Sequence, residues 1–125
     1  MKIAISADGT GKKATVDARF GRCAKFVFVD TDAGTFEIKS NAAVASGHGA
    51  GIQASQYIVQ EGAEAVIAGR MGPNAFGVLN AAGIPVYEGP GLSVEEAVER
   101  LLAGELRQVG GPTGAAHSGR RMRPW

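Results

Sequence analysis

The sequence has a single cysteine, Cys23, in 125 residues. No disulfide within the chain and no metal cage of cysteines alone can form. The two histidines, His48 and His117, are too few for a tight zinc site, which takes about four ligands. No apolar run approaches the roughly 18 residues that a membrane helix needs. The opening MKIAISAD passes straight into a strand pattern without the apolar core of a signal peptide. A cytoplasmic protein with no membrane contact is expected. A charge excess is lacking too: the formal net charge is +1, which gives no basic footprint for nucleic acid. Arg120, Arg121 and Arg123 crowd the end, and no acid follows Glu105. Three arginines make few phosphate contacts, so nucleic acid is not an expected partner.

Glycine is what the chain does have, 19 of them, in a composition that is 45% apolar and 20% charged. That composition suits one folded domain. Residues 1–107 carry the alternating apolar segments. Residues 108–125, QVGGPTGAAHSGRRMRPW, are rich in Gly, Ser and Pro and are expected to form a flexible basic tail. His117 falls there and is expected to be solvated.

Strands are expected over Lys2–Ala7, Lys25–Asp30 and Phe36–Ser40, the last two joined as a hairpin by the turn TDAGT. The apolar stripe Ile52, Ala54, Tyr57, Ile58 predicts a helix over Gly51–Glu61. Ala65–Ala68 reads as a buried strand. Pro73 suits a first helical turn, and Gly83 suits the end of that helix. Ile84–Tyr87 is a further strand. Ser93 and Glu96 have the spacing of a capping box ahead of VEEAVERLLAGEL. The order β-β-β-α-β-α-β-α predicts an α/β fold on a mixed five-stranded sheet, with parallel strands in its second half.

If the second strand runs against the first and the rest run with it, five loops share one sheet edge. These are DGTGKK, ARFGRC, SGHGAG, GRMGPNA and EGPGLS. They bring glycines, the starts of three helices, Lys12, Lys13, Arg19, Arg22, Arg70 and His48 to one place. Helix starts expose N–H groups and a partial positive charge, so an anion site is expected where open α/β sheets bind ligands. Turn geometry and solvated arginines explain any one loop by itself; five together favour a site.

Sharper motifs fare less well. DGTGKK misses the phosphate-binding P-loop, since Ser6 stands where its first glycine should be and Lys13 where its Ser or Thr should be. GAGIQA, Gly49–Ala54, matches the dinucleotide fingerprint, but the strand at Ala65–Ala68 ends in Gly69-Arg70, without an acid for the ribose. A ribonuclease H-type nuclease needs several carboxylates for its metals, and Asp8 is alone. No Ser-His-Asp or Cys-His arrangement is evident. Cys23 is either a small buried hydrophobe or a functional thiol.

The segments MKIAISADG, ARFGRCAKFVFVD, GHGAGIQASQYI, AVIAGRMGPNAFGVLNAAGIPVY and SVEEAVERLLAGEL, in that order, resemble the dinitrogenase iron–molybdenum cofactor biosynthesis family over residues 1–107. The resemblance implies a three-layer α/β/α, ribonuclease H-like domain that carries or helps assemble metal–sulfur clusters and is not an enzyme. The chain looks like a stand-alone member. Its size and single cysteine suit the orange-protein subgroup, whose members hold a molybdenum–copper sulfide cluster non-covalently. The implied cofactor is an iron–molybdenum–sulfur or molybdenum–copper–sulfur cluster, and the implied partners are cluster donor or acceptor proteins. Carried onto matching positions, the cluster-binding residues are Arg19, Phe20, Gly21, Arg22 and Cys23, then His48, Gly49 and Gly51. His48 and Cys23 are the expected metal ligands. Two other readings stay open. One is a dinucleotide- or small-molecule-binding enzyme domain resting on GAGIQA; the other is an interaction module that docks an acidic partner through the basic tail.

Overall fold

Alternation in the first strand sets the layers. The structure, a computed structural model, describes residues 1–9, 13–42, 49–89 and 91–109. In β1 (Lys2–Asp8), Ile3, Ile5 and Ala7 face one side of the sheet and Ala4 faces the other. The neighbouring β3 (Lys25–Asp30) repeats the pattern: Val27 and Val29 join the first side, Phe26 and Phe28 the second. The remaining elements are β2 (Thr15–Val16), β4 (Thr35–Ser40), α1 (Ala50–Gln60), β5 (Ala65–Ala68), α2 (Pro73–Ala81), β6 (Val86–Glu88), α3 (Val94–Leu102) and β7 (Arg107–Gln108).

The sheet order is β4-β3-β1-β5-β6-β7, with β2 paired to β1. β3 runs antiparallel to both β1 and β4, whereas β1, β5 and β6 are mutually parallel. The five longer strands and the three helices are those expected from the sequence, in an order compatible with a ribonuclease H-like sheet. Two-residue β2 and β7 make the sheet seven-stranded instead of five-stranded; runs that short carry no periodicity to read.

Helices α1 and α2 cover one face through Ala50, Ala54, Ile58, Ala75 and Leu79. Helix α3 covers the other through Val94, Ala97 and Val98. The result is three layers with two cores. On the α1/α2 side, Phe26 packs among Phe20, Phe28 and Tyr57, with ring centroids 5.5–6.5 Å apart.

Boundaries shift for local reasons. Pro85 has no N–H to donate, so β6 begins at Val86 although the Pro85 carbonyl still accepts from Val66 N. Gly104, at φ 74°, terminates the segment after α3, which ends at Leu102 short of the expected Leu106. Gln108 and Val109 belong to the fold rather than to a tail: Gln108 pairs with Tyr87, and Val109 N donates to Val86 O at 2.8 Å. The rest of the expected tail, including His117, lies outside the described residues.

Half of the expected capping box forms. Ser93 Oγ accepts from Glu96 N at 3.1 Å, while the Glu96 carboxylate turns to Arg100. Replacing Ser93 by Ala is expected to cost about 1 kcal/mol in urea denaturation.

Candidate functional site

The parallel strands end together, and the loops leaving them are stitched by main-chain hydrogen bonds. Gly69 N donates to Asp17 O at 3.1 Å, Arg70 N to Ala18 O at 2.7 Å, and Phe20 N to Arg70 O at 3.2 Å. Residues 17–20 therefore run along the end of β5. Val16 N donates to Leu92 O, and Val94 N to Ala14 O. Ladders this close need a glycine: a Cβ on Gly69 would lie 2.4 Å from Ala18 Cα.

From Phe20 the chain arches over the start of α1. Gly21 rests on the helix backbone; a Cβ there would stand 2.8 Å from both Gly51 Cα and Gly51 N. Behind it, α1 and α2 are joined through the buried Ser55, whose hydroxyl lies 2.8 Å from Gly51 O and 3.2 Å from Ala75 O. Between arch and helices lies a cleft of about 290 Å³, lined by residues 20–22, 49–52 and 72–75.

The cleft is built for negative charge. The N-caps of α1 and α2 are Gly49 and Gly72, neither of which offers a side-chain cap, and neither helix has an acid in its first turn. Helix α3 differs on both points, with Ser93 as its cap and Glu95 and Glu96 behind it. First-turn N–H groups of α1 and α2 thus face a space that no carboxylate among the described residues lines. Arg22, exposed on the arch, and Asn74 line the cleft as well. Phe20, Ile52, Pro73 and Ala75 supply apolar wall.

Five of the expected residues therefore meet in one cleft: Phe20, Gly21, Arg22, Gly49 and Gly51. Arg19 stands beside it, outside the lining, 65% exposed and held by Asp17 through its main-chain N (2.9 Å) and Nε (3.4 Å). His48 and Lys12 lie outside the described residues. The expected gathering of three helix starts reduces to two, because α3 packs on the opposite face. Gly72, Pro73 and Asn74 at the start of α2 also line the cleft; in the sequence only Pro73 marks that helix start.

Cys23 is placed in the core. It is 0% exposed, does not line the cleft, and receives the Asn41 side-chain amide at 3.7 Å. Burial, the main cause, pushes its thiol up to about 12 from an ordinary 9.0. A neutral buried thiol is a poor metal ligand and nucleophile. Among the described residues, no group of three or more His, Cys, Asp or Glu could hold a metal ion. Cys23 is expected to resist iodoacetamide in the folded protein at mildly alkaline pH and to react on unfolding. Fast labelling of the native protein would place it at the surface. The sign of its pH effect also follows. Its contribution to stability is intact below the unfolded value near 9 and declines as pH rises toward 12, because the unfolded chain releases the proton first.

Fold and cleft together define a small three-layer α/β binding domain, its basin at the carboxyl edge of a mixed sheet. More narrowly, the chain belongs to the dinitrogenase iron-molybdenum cofactor family, whose model matches residues 1–104. It is similar to the orange protein of Desulfovibrio gigas, solved in its apo form. Identity to it is 43% and the TM-score 0.85, covering 89% of this chain and 94% of that one. A NifB-like protein of Thermotoga is 34% identical, with a TM-score of 0.77 over 94% of this chain and 98% of that one. An uncharacterized protein of Methanocaldococcus jannaschii is 33% identical over 86% of this chain and 91% of its own length. No helix among the described residues is long and apolar enough to cross a membrane.

Proposed function

We propose that this protein binds and carries an anionic metal–sulfur cluster, without catalytic turnover, in the cleft between the arch and the starts of α1 and α2. One observation carries the proposal: two helix N-termini without side-chain caps and Arg22 converge on a space that no carboxylate among the described residues lines. Membership of the dinitrogenase iron-molybdenum cofactor family and similarity to the orange protein support it. Sulfide-edged clusters are polyanions with diffuse charge. Main-chain N–H groups and a guanidinium can bond their sulfides, and apolar walls such as Phe20 and Ile52 suit a weakly hydrated surface. The described lining offers hydrogen-bond donors and no sulfur or carboxylate ligand. The donor set therefore fits non-covalent capture of a preformed cluster. On the family resemblance, direct ligation of metal is assigned to His48, which lies outside the described residues.

A molybdenum–copper sulfide is the preferred cargo on the orange-protein likeness; an iron–molybdenum cofactor precursor is the alternative on the family assignment. The natural partners are then the proteins that deliver and receive it, in the cytoplasm. The test is anaerobic incubation with tetrathiomolybdate and copper, or with iron and sulfide, followed by desalting. A visible charge-transfer band that stays with the protein is expected, and Arg22→Ala and His48→Ala should weaken it. A colourless protein in every arm contradicts the proposal. Saturable binding of NADH in place of the cluster would favour the dinucleotide reading of GAGIQA.

A further inference from the structure

Arg22 is presented by a short irregular arch, and arches do not hold their shape without partners for their carbonyls. Two of those partners come from one side chain. Asn41, at the end of β4, is 3% exposed. Its Nδ2 donates to Gly21 O at 3.2 Å and to Cys23 O at 2.9 Å, the two carbonyls on either side of Arg22 in sequence. Its main-chain N donates to Ala24 O at 3.0 Å, so the far foot of the arch is tied to the same residue. On the outer side, Gly21 bears directly on the backbone of Gly51. The peptide units around Arg22 are thus held between a side chain anchored to the sheet and the first turn of α1.

The chemistry of the position is specific. Two carbonyls need two N–H donors from one short side chain, and the amide nitrogen of asparagine carries two, the longer 3.7 Å contact to Cys23 Sγ sharing one of them. Aspartate has the same shape and no donor when ionised; serine has one donor. Asn41 does not line the cleft.

Resting on the cleft assignment above, we propose that Asn41 is a positioning residue for the bound anion: it fixes the arch, and through the arch the approach of Arg22 to the cleft. Its effect on binding is therefore exerted through Arg22.

The test is a double-mutant cycle with tetrathiomolybdate plus copper as the probe, read as the midpoint of the visible absorption on titration. Asn41→Ala and Arg22→Ala are each expected to weaken uptake about tenfold. The double variant should bind no more weakly than Arg22→Ala by itself, since Asn41 has nothing left to position. Losses that add, or an Asn41→Ala variant that binds like wild type, overturn the proposal. A loss of fold stability alone would persist in the Arg22→Ala background, and thermal melting records it separately. Should Asn41→Ala fail to fold, Asn41→Ser, which keeps one donor, goes through the same cycle under the same criteria. Wild-type protein that takes up no probe would remove the cleft assignment and this role with it. Wild-type uptake with additive variants would remove only the role of Asn41.

Discussion

Gly21→Ala should weaken uptake of the tetrathiomolybdate–copper probe by about tenfold or more, because a displacement of order 1 Å in a binding constellation is that costly. The added methyl carbon would sit 2.8 Å from Gly51 Cα and N and 3.3 Å from the Ala50 carbonyl carbon. All three are main-chain atoms, so no side-chain rotation relieves the contact. Either the arch lifts, taking Arg22 with it, or the first turn of α1 moves away. Both separate the donors that the cleft brings together. The same clash should lower stability by about 1–3 kcal/mol, the usual cost of forcing atoms into a packed region. Gly77→Ala is the contrasting substitution. Its Cβ meets nothing within 4 Å on the exposed side of α2. It should stabilise the protein by about 0.5–1 kcal/mol through helix propensity and leave uptake unchanged. Equal binding by Gly21→Ala and wild type would show that the arch has no part in the site.

Gly69→Ala carries the largest expected loss of stability. A Cβ there would lie 2.4 Å from Ala18 Cα, 2.6 Å from its carbonyl oxygen and 2.7 Å from its carbonyl carbon. Gly69 N and Arg70 N bond to Asp17 O and Ala18 O in the same stretch, so relief of the clash breaks those hydrogen bonds as well. The expected cost is about 3 kcal/mol, at the upper end for overpacking. For a domain of this size that lowers the melting temperature by roughly 10 °C. A melting temperature within a degree or two of wild type would mean that residues 17–20 do not run against the end of β5.

The sheet was readable because alternation reports burial. Val27 and Val29 against Phe26 and Phe28 announce a strand with two covered faces, and all four are buried. β2 and β7 were not readable, since pairing partners alone define two-residue strands. The shared edge was readable from strand direction. Which helix starts belong to the same basin was not, although the physics was at hand. The crossovers β4-α1-β5 and β5-α2-β6 step the same way across the sheet, so a single handedness puts α1 and α2 on one face. No parallel strand follows α3, and the rule says nothing about it. Arg22 is legible from the loop that carries it, whereas Phe20, Gly21, Gly49 and Gly51 follow from the family resemblance. Asn41 was out of reach: one polar residue at a strand end looks the same whether it meets solvent or braces an arch. Cys23 was undecided for a similar reason, since only its depth in the core settles its protonation.

Amide chemical shifts followed during titration with tetrathiomolybdate and copper test the cleft most directly. The N–H signals of Gly21, Arg22, Ala50, Gly51, Asn74 and Ala75 should move together and saturate together, while those of Glu95 and Glu99 on α3 stay in place. Perturbation centred on α3, or uptake of the probe with residues 49–52 and 72–75 unmoved, would contradict it.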